Sequence, residues 1–264
     1  MEKDMMQNEI LHGGREGKIA KTADKVIRPS CPATPYIHSA LSFMHENGFT
    51  SIPKPYGINE DGQEIVSFVE GTVYNDSFPD EIRTDEVLTQ AAALLRRYHD
   101  VIQGYMPKLT GDEEWTLPAR TPAEVLCHGD IAPYNMTIVD GHIHGIIDFD
   151  LLHPGPRLWD IAYAVYRWVP FVSPNNADYR DGLEEQLRRL RLFVDTYGLN
   201  ADDRQQLPDM MIQRLQYLVA FMMGQADNGN EDFQKNIEDG HAKLYLDDIQ
   251  YMTEHRQAML ERLV

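Results

Sequence analysis

Three polar residues in the middle of the chain have the types and the spacing that phosphoryl transfer requires. Asp130 follows a histidine and a glycine, Asn135 comes five residues later, and Asp148 comes thirteen residues after Asn135. In Mg²⁺-dependent phosphoryl transfer one carboxylate orients the acceptor hydroxyl, while an asparagine and a second aspartate hold the metal ions that bridge the nucleotide phosphates. The order and spacing of these residues predict such a site, although His-Gly-Asp alone would equally mark a turn.

The segment between Asn135 and Asp148 has the pattern of a β-hairpin. Asp140-Gly141 stands between two runs rich in β-branched residues, 135–139 and 142–147. Asp-Gly in this setting is a strong short-range hairpin signal. Because a hairpin returns the chain on itself, we expect Asn135 and Asp148 to lie side by side at its open end.

The motif as a whole resembles that of the aminoglycoside phosphotransferase family, which includes choline and fructosamine kinase relatives. The matching residues are Cys127-His128-Gly129-Asp130, Asn135, Ile147-Asp148-Phe149-Asp150, Gly155-Pro156 and Trp159-Asp160-Ile161-Ala162. The resemblance implies an α+β, bilobal protein-kinase-like fold, with a small antiparallel β-sheet lobe and a larger, mainly helical lobe.

The resemblance also implies roles for individual residues. Asp130 matches the catalytic aspartate, and Asn135 and Asp148 match the Mg²⁺ ligands. Asp160 matches an aspartate that braces the catalytic loop from the following helix, and His128 belongs to the same structural support. The implied phosphate donor is ATP or GTP.

The elements around the motif fit two lobes, a nucleotide-binding lobe at 1–70 and a catalytic, acceptor-binding lobe at 71–264. The first lobe has the predicted order strand, strand, strand, helix, strand, strand, with the helix carrying apolar residues at Ile37, Leu41 and Met44. An amphipathic helix is expected from Thr84. The periodicity after Asp160 predicts further helices at about 159–168, 178–197, 203–225 and 233–262.

Two backbone segments of the small lobe are candidates for nucleotide contacts. Gly13 and Gly14 lie between the first two strands, where amides without a nearby Cβ could approach phosphates; an ordinary hairpin turn has the same composition. By resemblance, the Ser67 carbonyl and the Val69 amide would face the adenine edge. A plain strand end is the alternative.

The third strand departs from the family pattern at the phosphate-binding cation. Alignment by strand and helix puts Arg28 where a lysine is expected, and Ile37 and His38 occupy the turn where its glutamate partner is expected. Arginine can hold phosphates bidentately. We therefore expect Arg28 to bind phosphates with another partner, Lys25 being the alternative cation and a degraded small lobe the alternative explanation.

The acceptor side is less well defined by the sequence. Asp150 projects to the same side as Asp148 in an extended segment, where it could support the acceptor or the metal, or cap the next turn. Trp159, Tyr163 and Tyr166 share a helix face, for which core packing is favoured over a stacking pocket.

Two further groups of polar residues are better explained by solvent exposure than by a site. His142-x-His144 could bind zinc, but a surface hairpin accounts for it without a third ligand. The acidic pairs Glu231-Asp232 and Glu238-Asp239 could line a cationic-substrate cleft, and a solvated helix face is favoured.

Composition narrows the classes of partner. The 264 residues carry 42 acidic and 24 basic side chains, a net charge of −18, which argues against nucleic acid or an anionic membrane as a partner. An acidic surface is compatible with a cationic acceptor. Only Cys31 and Cys127 are present and no long apolar run occurs, so we expect a cytoplasmic protein without disulfides.

These observations predict an enzyme that transfers a phosphoryl group to a hydroxyl of a small molecule. A protein acceptor is disfavoured, because only residues 151–154 separate Asp150 from Gly155 and leave no room for an activation loop. The alternative is a nucleotide-binding pseudokinase that acts as a scaffold or sensor, which the departures at Arg28 favour and the complete Asp130, Asn135 and Asp148 set opposes.

Overall fold

The computed structural model describes residues 9–10, 18–75 and 78–264. These residues form nine strands and eight helices, in an α+β arrangement. The strands are β1 Glu9–Ile10, β2 Ala20–Thr22, β3 Lys25–Pro29, β4 Pro55–Ile58, β5 Gln63–Ser67, β6 Val125–Cys127, β7 Met136–Val139, β8 His142–Ile146 and β9 His153–Gly155. The helices are α1 Thr34–Glu46, α2 Asp85–Ile102, α3 Arg157–Trp168, α4 Gly182–Tyr197, α5 Ala201–Asp227, α6 Glu231–Glu238, α7 His241–Glu254 and α8 Arg256–Leu263.

The chain divides into two compact units that interleave along the sequence. Of the described residues, unit 1 contains 9–10, 18–75, 97–128 and 134–156, and unit 2 contains 78–96, 129–133 and 157–264. The predicted lobes at 1–70 and 71–264 do not have the boundaries of these units, because unit 1 also includes two segments after residue 96, namely 97–128 and 134–156. It stays a prediction.

The first five strands form one antiparallel sheet in unit 1, in the order β1-β2-β3-β5-β4. The predicted succession of three strands, a helix and two strands is thus confirmed. Helix α1 buries Ile37, Leu41 and Met44, the residues whose helical spacing predicted it. Burial alternates along β5, so that Glu64 and Val66 both point into the protein while their neighbours are half-buried.

The hairpin predicted around Asp140-Gly141 is present as β7 and β8. Both turn residues have positive φ, 50° for Asp140 and 77° for Gly141, which is the requirement of a two-residue type I′ turn. The register shifts between Thr137, which pairs with Gly145, and Ile138, which pairs with Ile143.

Backbone contacts fix this hairpin within unit 1. Thr72 and Ile138 exchange two hydrogen bonds of 2.8 and 2.9 Å, and the Ile146 amide donates to the Ser51 carbonyl at 2.9 Å. At Gly145 a Cβ would lie 2.6 Å from Val69 Cγ1 and 3.0 Å from the Ser51 oxygen. This position therefore requires glycine because two chain segments approach it closely.

We predict that Gly145→Ala lowers the melting temperature clearly, because the new methyl group overlaps Val69 and the backbone of Ser51. Overpacking of this kind costs about 1–3 kcal/mol. Gly224→Ala is the matched control: its Cβ would meet nothing within 4 Å, and in a helix it should stabilise by about 0.5–1 kcal/mol. Thermal unfolding of both variants checks this, and equal melting temperatures would contradict the close packing.

Unit 2 consists mainly of helices. Thr84 Oγ1 accepts a hydrogen bond from the Val87 amide at 3.2 Å, so that the predicted start of α2 is correct. Helices α6 and α7 both pack on α5. Asp248, a buried residue of α7, accepts hydrogen bonds from Tyr166 and Asn176, both at 2.8 Å. Among the helices of the described ranges, none has the length and apolar composition needed to cross a membrane.

The single helix predicted at 233–262 is wrong. The structure has three helices there, because Gly240 adopts a left-handed φ of 89° between α6 and α7, and His255 separates α7 from α8. An apolar periodicity that continues across both breaks hid them from sequence analysis.

Candidate functional site

The predicted site residues are distributed over both compact units, so the two groups are considered separately. Unit 1 contains the candidate cation and metal-binding residues, and unit 2 contains Asp130 and Asp160. Asp130 and Asn135 remain five residues apart along the chain.

Arg28 lies against both carboxylates that follow the hairpin. Its Nη1 donates to Asp148 Oδ1 at 3.2 Å, and its Nη2 donates to Asp150 Oδ1 at 2.8 Å. Arg28 lies at least 120 positions before either carboxylate in the chain. The structure thus brings together the cation expected to bind phosphates and two of the carboxylates expected near the metal.

Glu64 holds Arg28 from the other side. It stands directly opposite Arg28 in the pairing of β3 with β5, and its Oε1 forms an ion pair of 2.5 Å with Arg28 Nε. Its Oε2 lies 2.9 Å from His38 Nε2. His38 occupies the turn of α1 where a glutamate was expected. A histidine therefore takes that position, and it contacts the carboxylate of Glu64 on β5.

Charge and burial compete at Arg28. Burial alone would lower the pKa of the guanidinium, but the negative charges of Asp150, Glu64 and Asp148 outweigh that effect, so its pKa lies above the ordinary value. The side chain is 14% exposed and stays protonated at any physiological pH. A permanently charged, nearly buried fork is suited to hold an anion bidentately.

The open end of the hairpin brings Asn135 close to Asp148. The Ile147 amide donates to the Asn135 carbonyl at 2.9 Å, so Asn135 is one residue from Asp148 across the hairpin. Asp148 has a φ of 63°, a left-handed conformation that aspartate tolerates better than most residues, and its side chain is 47% exposed. His128 Nε2 lies 3.0 Å from the Ile147 carbonyl and supports the same segment.

The donor atoms at this end of the hairpin fit Mg²⁺. Two carboxylates and one amide oxygen, from Asp148, Asp150 and Asn135, are the hard oxygen ligands that this ion takes, and it keeps waters for the remaining positions. Over the described ranges, no cluster of three or more His, Cys, Asp or Glu side chains suits a metal ion.

Asp130 is half-buried in unit 2. The Gly129 amide donates to Asp160 Oδ1 at 2.9 Å, which is the contact expected of the bracing aspartate. Burial raises the pKa of Tyr163, and the nearby negative charge of Asp130 raises it further. Burial also raises the pKa of Tyr245. The positive charge of Arg167 opposes this effect, and the negative charge of Asp130 adds to it.

The alternative cation and the candidate adenine contacts lie at the far end of β3 and β5. Lys25 is exposed, with its Nζ 5.0 Å from the centre of the Tyr56 ring. Ser67 pairs with Lys25, and its amide donates to the Lys54 carbonyl at 2.8 Å, while Val69 packs near Gly145. Gly13 and Gly14 lie outside the described residues.

The remaining candidates behave as solvent-exposed or core residues. Trp159, Tyr163 and Tyr166 are buried, in agreement with core packing. His142 and His144 are exposed on the hairpin. The two acidic pairs of α6 and its C-terminal end are exposed as well, at Glu231, Asp232, Glu238 and Asp239.

Sequence patterns missed Glu64 and His38. The available signal was weak: Glu64 occupies a core-facing position of an alternating strand, where a carboxylate needs a buried partner. The identity of that partner depends on which strands pair and in what register, and neither follows from one sequence.

Comparison with known proteins relates this architecture to small-molecule kinases. Residues 105–193 match the model of the phosphotransferase enzyme family. Curated proteins give no match to the chain.

Several solved structures share the fold at low sequence identity. An amicoumacin kinase, hAmiN, in complex with AMP-PNP, Ca²⁺ and Ami has a TM-score of 0.60 and 15% identity, with 88% of each chain covered. A choline/ethanolamine kinase family protein from Mesorhizobium loti has a TM-score of 0.62 and 14% identity, covering 98% of this chain and 92% of its own. A microcompartment-associated aminopropanol kinase has a TM-score of 0.56 and 13% identity, covering 99% and 96%.

These likenesses extend over nearly the whole chain and confirm the predicted α+β, protein-kinase-like fold. The family model covers the segment that contains Asp130, Asn135, Asp148 and Asp160. The chain therefore resembles the phosphotransferase enzyme family in the sequence of residues 105–193, and small-molecule kinases in its fold.

Proposed function

We propose that the protein is an O-phosphotransferase that moves the γ-phosphoryl group of ATP or GTP, with Mg²⁺, to a hydroxyl of a small molecule. The observation that carries this proposal is the contact of Arg28 with Asp148 and Asp150, since it joins a phosphate-binding cation to candidate metal ligands from a distant part of the chain. The family match over residues 105–193 and the nucleotide analogue named with the amicoumacin kinase support it.

Within unit 1, Asn135 and Asp148 would hold Mg²⁺, and Asp150 would support them. When bound, the ion neutralises charge on the transferring phosphoryl group. Arg28 would exchange its contacts with Asp148 and Asp150 for the non-transferred phosphates, while Glu64 keeps hold of Nε and thereby the direction of the fork. The Ser67 carbonyl, the Val69 amide and the Gly13-Gly14 turn are proposed nucleotide contacts made by backbone.

Asp130 would accept a hydrogen bond from the acceptor hydroxyl and take its proton as the new P–O bond forms, while the bond from the γ-phosphorus to the β,γ-bridging oxygen breaks and ADP or GDP leaves. Catalysis of this type depends mainly on positioning and on charge stabilisation. Because Asp160 fixes the Gly129 amide, the backbone that leads into Asp130 is held in place. His128 would support the following segment through Ile147.

We propose that the acceptor is a small alcohol and that Asp150 contacts it. The net charge of −18 is compatible with a cationic acceptor. A cytoplasmic location remains our expectation from the low cysteine content, since the chain has only Cys31 and Cys127.

The competing function is a nucleotide-binding pseudokinase that acts as scaffold or sensor. An arginine in place of the expected lysine, with no glutamate at the turn of α1 where its partner is expected, favours that alternative; Glu46 lies at the end of the helix. Mg²⁺-dependent release of ADP or GDP, measured with a coupled assay in the presence and absence of an acceptor library, separates the two. Nucleotide binding without any release would favour the scaffold.

We predict that Arg28→Ala weakens nucleotide binding markedly and that Arg28→Lys restores only part of it, because one ammonium cannot replace a fork that contacts Glu64 and two phosphate oxygens. Because Arg28 gives up its contacts with Asp148 and Asp150 when it binds phosphates, the net loss should correspond to about one charge-assisted hydrogen bond, about 1.5–3 kcal/mol, or about tenfold to a hundredfold in affinity. Calorimetric titration with a non-hydrolysable nucleotide measures it.

Lys25→Ala provides the control for this experiment. It removes a cation from the same strand, but one that lies over the Tyr56 ring and apart from the carboxylates. Its nucleotide affinity should equal that of the unmodified protein. Equal affinity in all four proteins would move the phosphate contact to the glycine turn.

A further inference from the structure

Arg214 is a buried arginine in the middle of α5, far along the chain from the catalytic motif. Only 4% of it is exposed, and its Nη2 donates a hydrogen bond of 2.7 Å to the Gly129 carbonyl. Its guanidinium carbon lies 4.4 Å from the centre of the Tyr163 ring and 5.2 Å from that of Trp159, both on α3. All of these residues belong to unit 2.

The bond reaches the peptide group immediately before the proposed catalytic base. The Gly129 carbonyl and the Asp130 amide belong to one planar peptide, so fixing that oxygen also fixes the plane from which the Asp130 backbone starts. The preceding peptide is fixed by Asp160, which accepts from the Gly129 amide at 2.9 Å. Gly129 itself has a φ of 83°, a conformation open to glycine, and two side chains from α3 and α5 hold it on either side.

A purely structural reason for this arginine is weak. Its Nε is buried and has no hydrogen-bond partner among the described residues, so part of the guanidinium is left unsatisfied at a cost to stability. The guanidinium donates one hydrogen bond to the Gly129 carbonyl, and its packing on the rings of Tyr163 and Trp159 keeps it oriented toward that oxygen.

We propose that Arg214 is a positioning residue for the catalytic aspartate, acting through the Gly129 carbonyl as the counterpart of Asp160 on the Gly129 amide. The inference rests on the proposed function, because it takes Asp130 to be the base. It predicts that loss of Arg214 lowers the rate of transfer and leaves nucleotide affinity unchanged.

The test compares Arg214→Met with a matched variant, Arg189→Met. Arg189 is also buried in unit 2, and it donates to two backbone carbonyls, those of Arg83 at 2.7 Å and Trp168 at 3.2 Å. Both variants lose a buried guanidinium that binds backbone, and only the first loses the contact with Gly129. We expect kcat of Arg214→Met to fall by about tenfold to a hundredfold, the effect of a small misplacement of a catalytic group. Arg189→Met should keep its kcat at temperatures below both melting transitions.

Two further readouts separate positioning from general loss of structure. Combined with Asp130→Asn, Arg214→Met should have no additional effect on the residual rate, since residues that act as a unit are not additive. Hydrogen exchange at the Asp130 amide should be faster in Arg214→Met than in Arg189→Met, and this needs no turnover. If Arg214→Met does not fold, Arg214→Lys, which keeps one donor and loses the stacked fork, takes its place.

Each result decides the matter. Equal kcat for Arg214→Met and the unmodified protein, additive losses with Asp130→Asn, or unchanged exchange at the Asp130 amide would overturn the positioning role. A lack of turnover in the unmodified protein would instead contradict the proposed function, and the exchange measurement would still judge Arg214.

Discussion

Asp130→Asn should lower kcat by about 10²–10⁴-fold for the true acceptor, the usual effect of removing a positioned general base. The substitution keeps the size of the side chain and removes only its charge, so the Gly129 contacts with Asp160 and Arg214 should persist. Nucleotide affinity should stay near that of the unmodified protein, because the proposed function has the Asp130 carboxylate facing the acceptor hydroxyl and not the triphosphate. A fall in kcat at constant affinity identifies an interaction made in the transition state.

Asp140→Asn is the control for this variant. It makes the same chemical change at the tip of the β7–β8 hairpin, where the residue is exposed and has a φ of 50° that asparagine adopts readily. Its kcat should be unchanged. If Asp130→Asn retained more than about a tenth of the normal kcat, Asp130 would not be the base.

Asp148→Asn should abolish turnover at low Mg²⁺ and restore part of it as Mg²⁺ is raised. Loss of a residue that merely supports a metal ligand already costs about 10–100-fold in metal affinity, and loss of a ligand itself should cost at least as much. The test uses asparagine because residue 148 has a φ of 63°. Asparagine tolerates this left-handed conformation, whereas alanine would add backbone strain.

The matched comparison is Asp150→Asn. Both carboxylates contact Arg28, so both variants remove one charge from its surroundings, and a larger increase of the Mg²⁺ requirement in Asp148→Asn than in Asp150→Asn distinguishes the proposed ligand from its proposed support. In the absence of Mg²⁺, neither variant should bind nucleotide more weakly than the unmodified protein, since Arg28 has one competing carboxylate fewer. Near-normal turnover of Asp148→Asn at low Mg²⁺ would show that another residue is the ligand.

Local signals in the sequence predicted most of what surrounds the hairpin. Asp140 and Gly141 form a tight turn because both residues readily adopt positive φ. The hairpin that this turn closes brings Asn135 next to Asp148. The helix α1 followed from the spacing of three apolar residues. These inferences succeed because the interactions behind them connect residues close in the chain.

Long-range partners could not be predicted in this way. Counting strands located Arg28, but its contact with Glu64 depends on β3 pairing with β5 across an intervening helix and strand. Arg214 belongs to no motif and lies 85 residues from Gly129. The breaks at Gly240 and His255 were missed because the apolar pattern continues through them.

The most direct test of the proposed function follows the γ-phosphoryl group itself. The protein is incubated with Mg²⁺, a library of small alcohols including amino alcohols and sugars, and ATP or GTP labelled with ¹⁸O in the γ-phosphate, and the products are analysed by mass spectrometry. We expect labelled phosphate on a hydroxyl oxygen of at least one acceptor, formed at least about a hundredfold more slowly with Asp130→Asn. Bound nucleotide with no label transferred to any acceptor or to water would contradict the account and favour a nucleotide-binding scaffold.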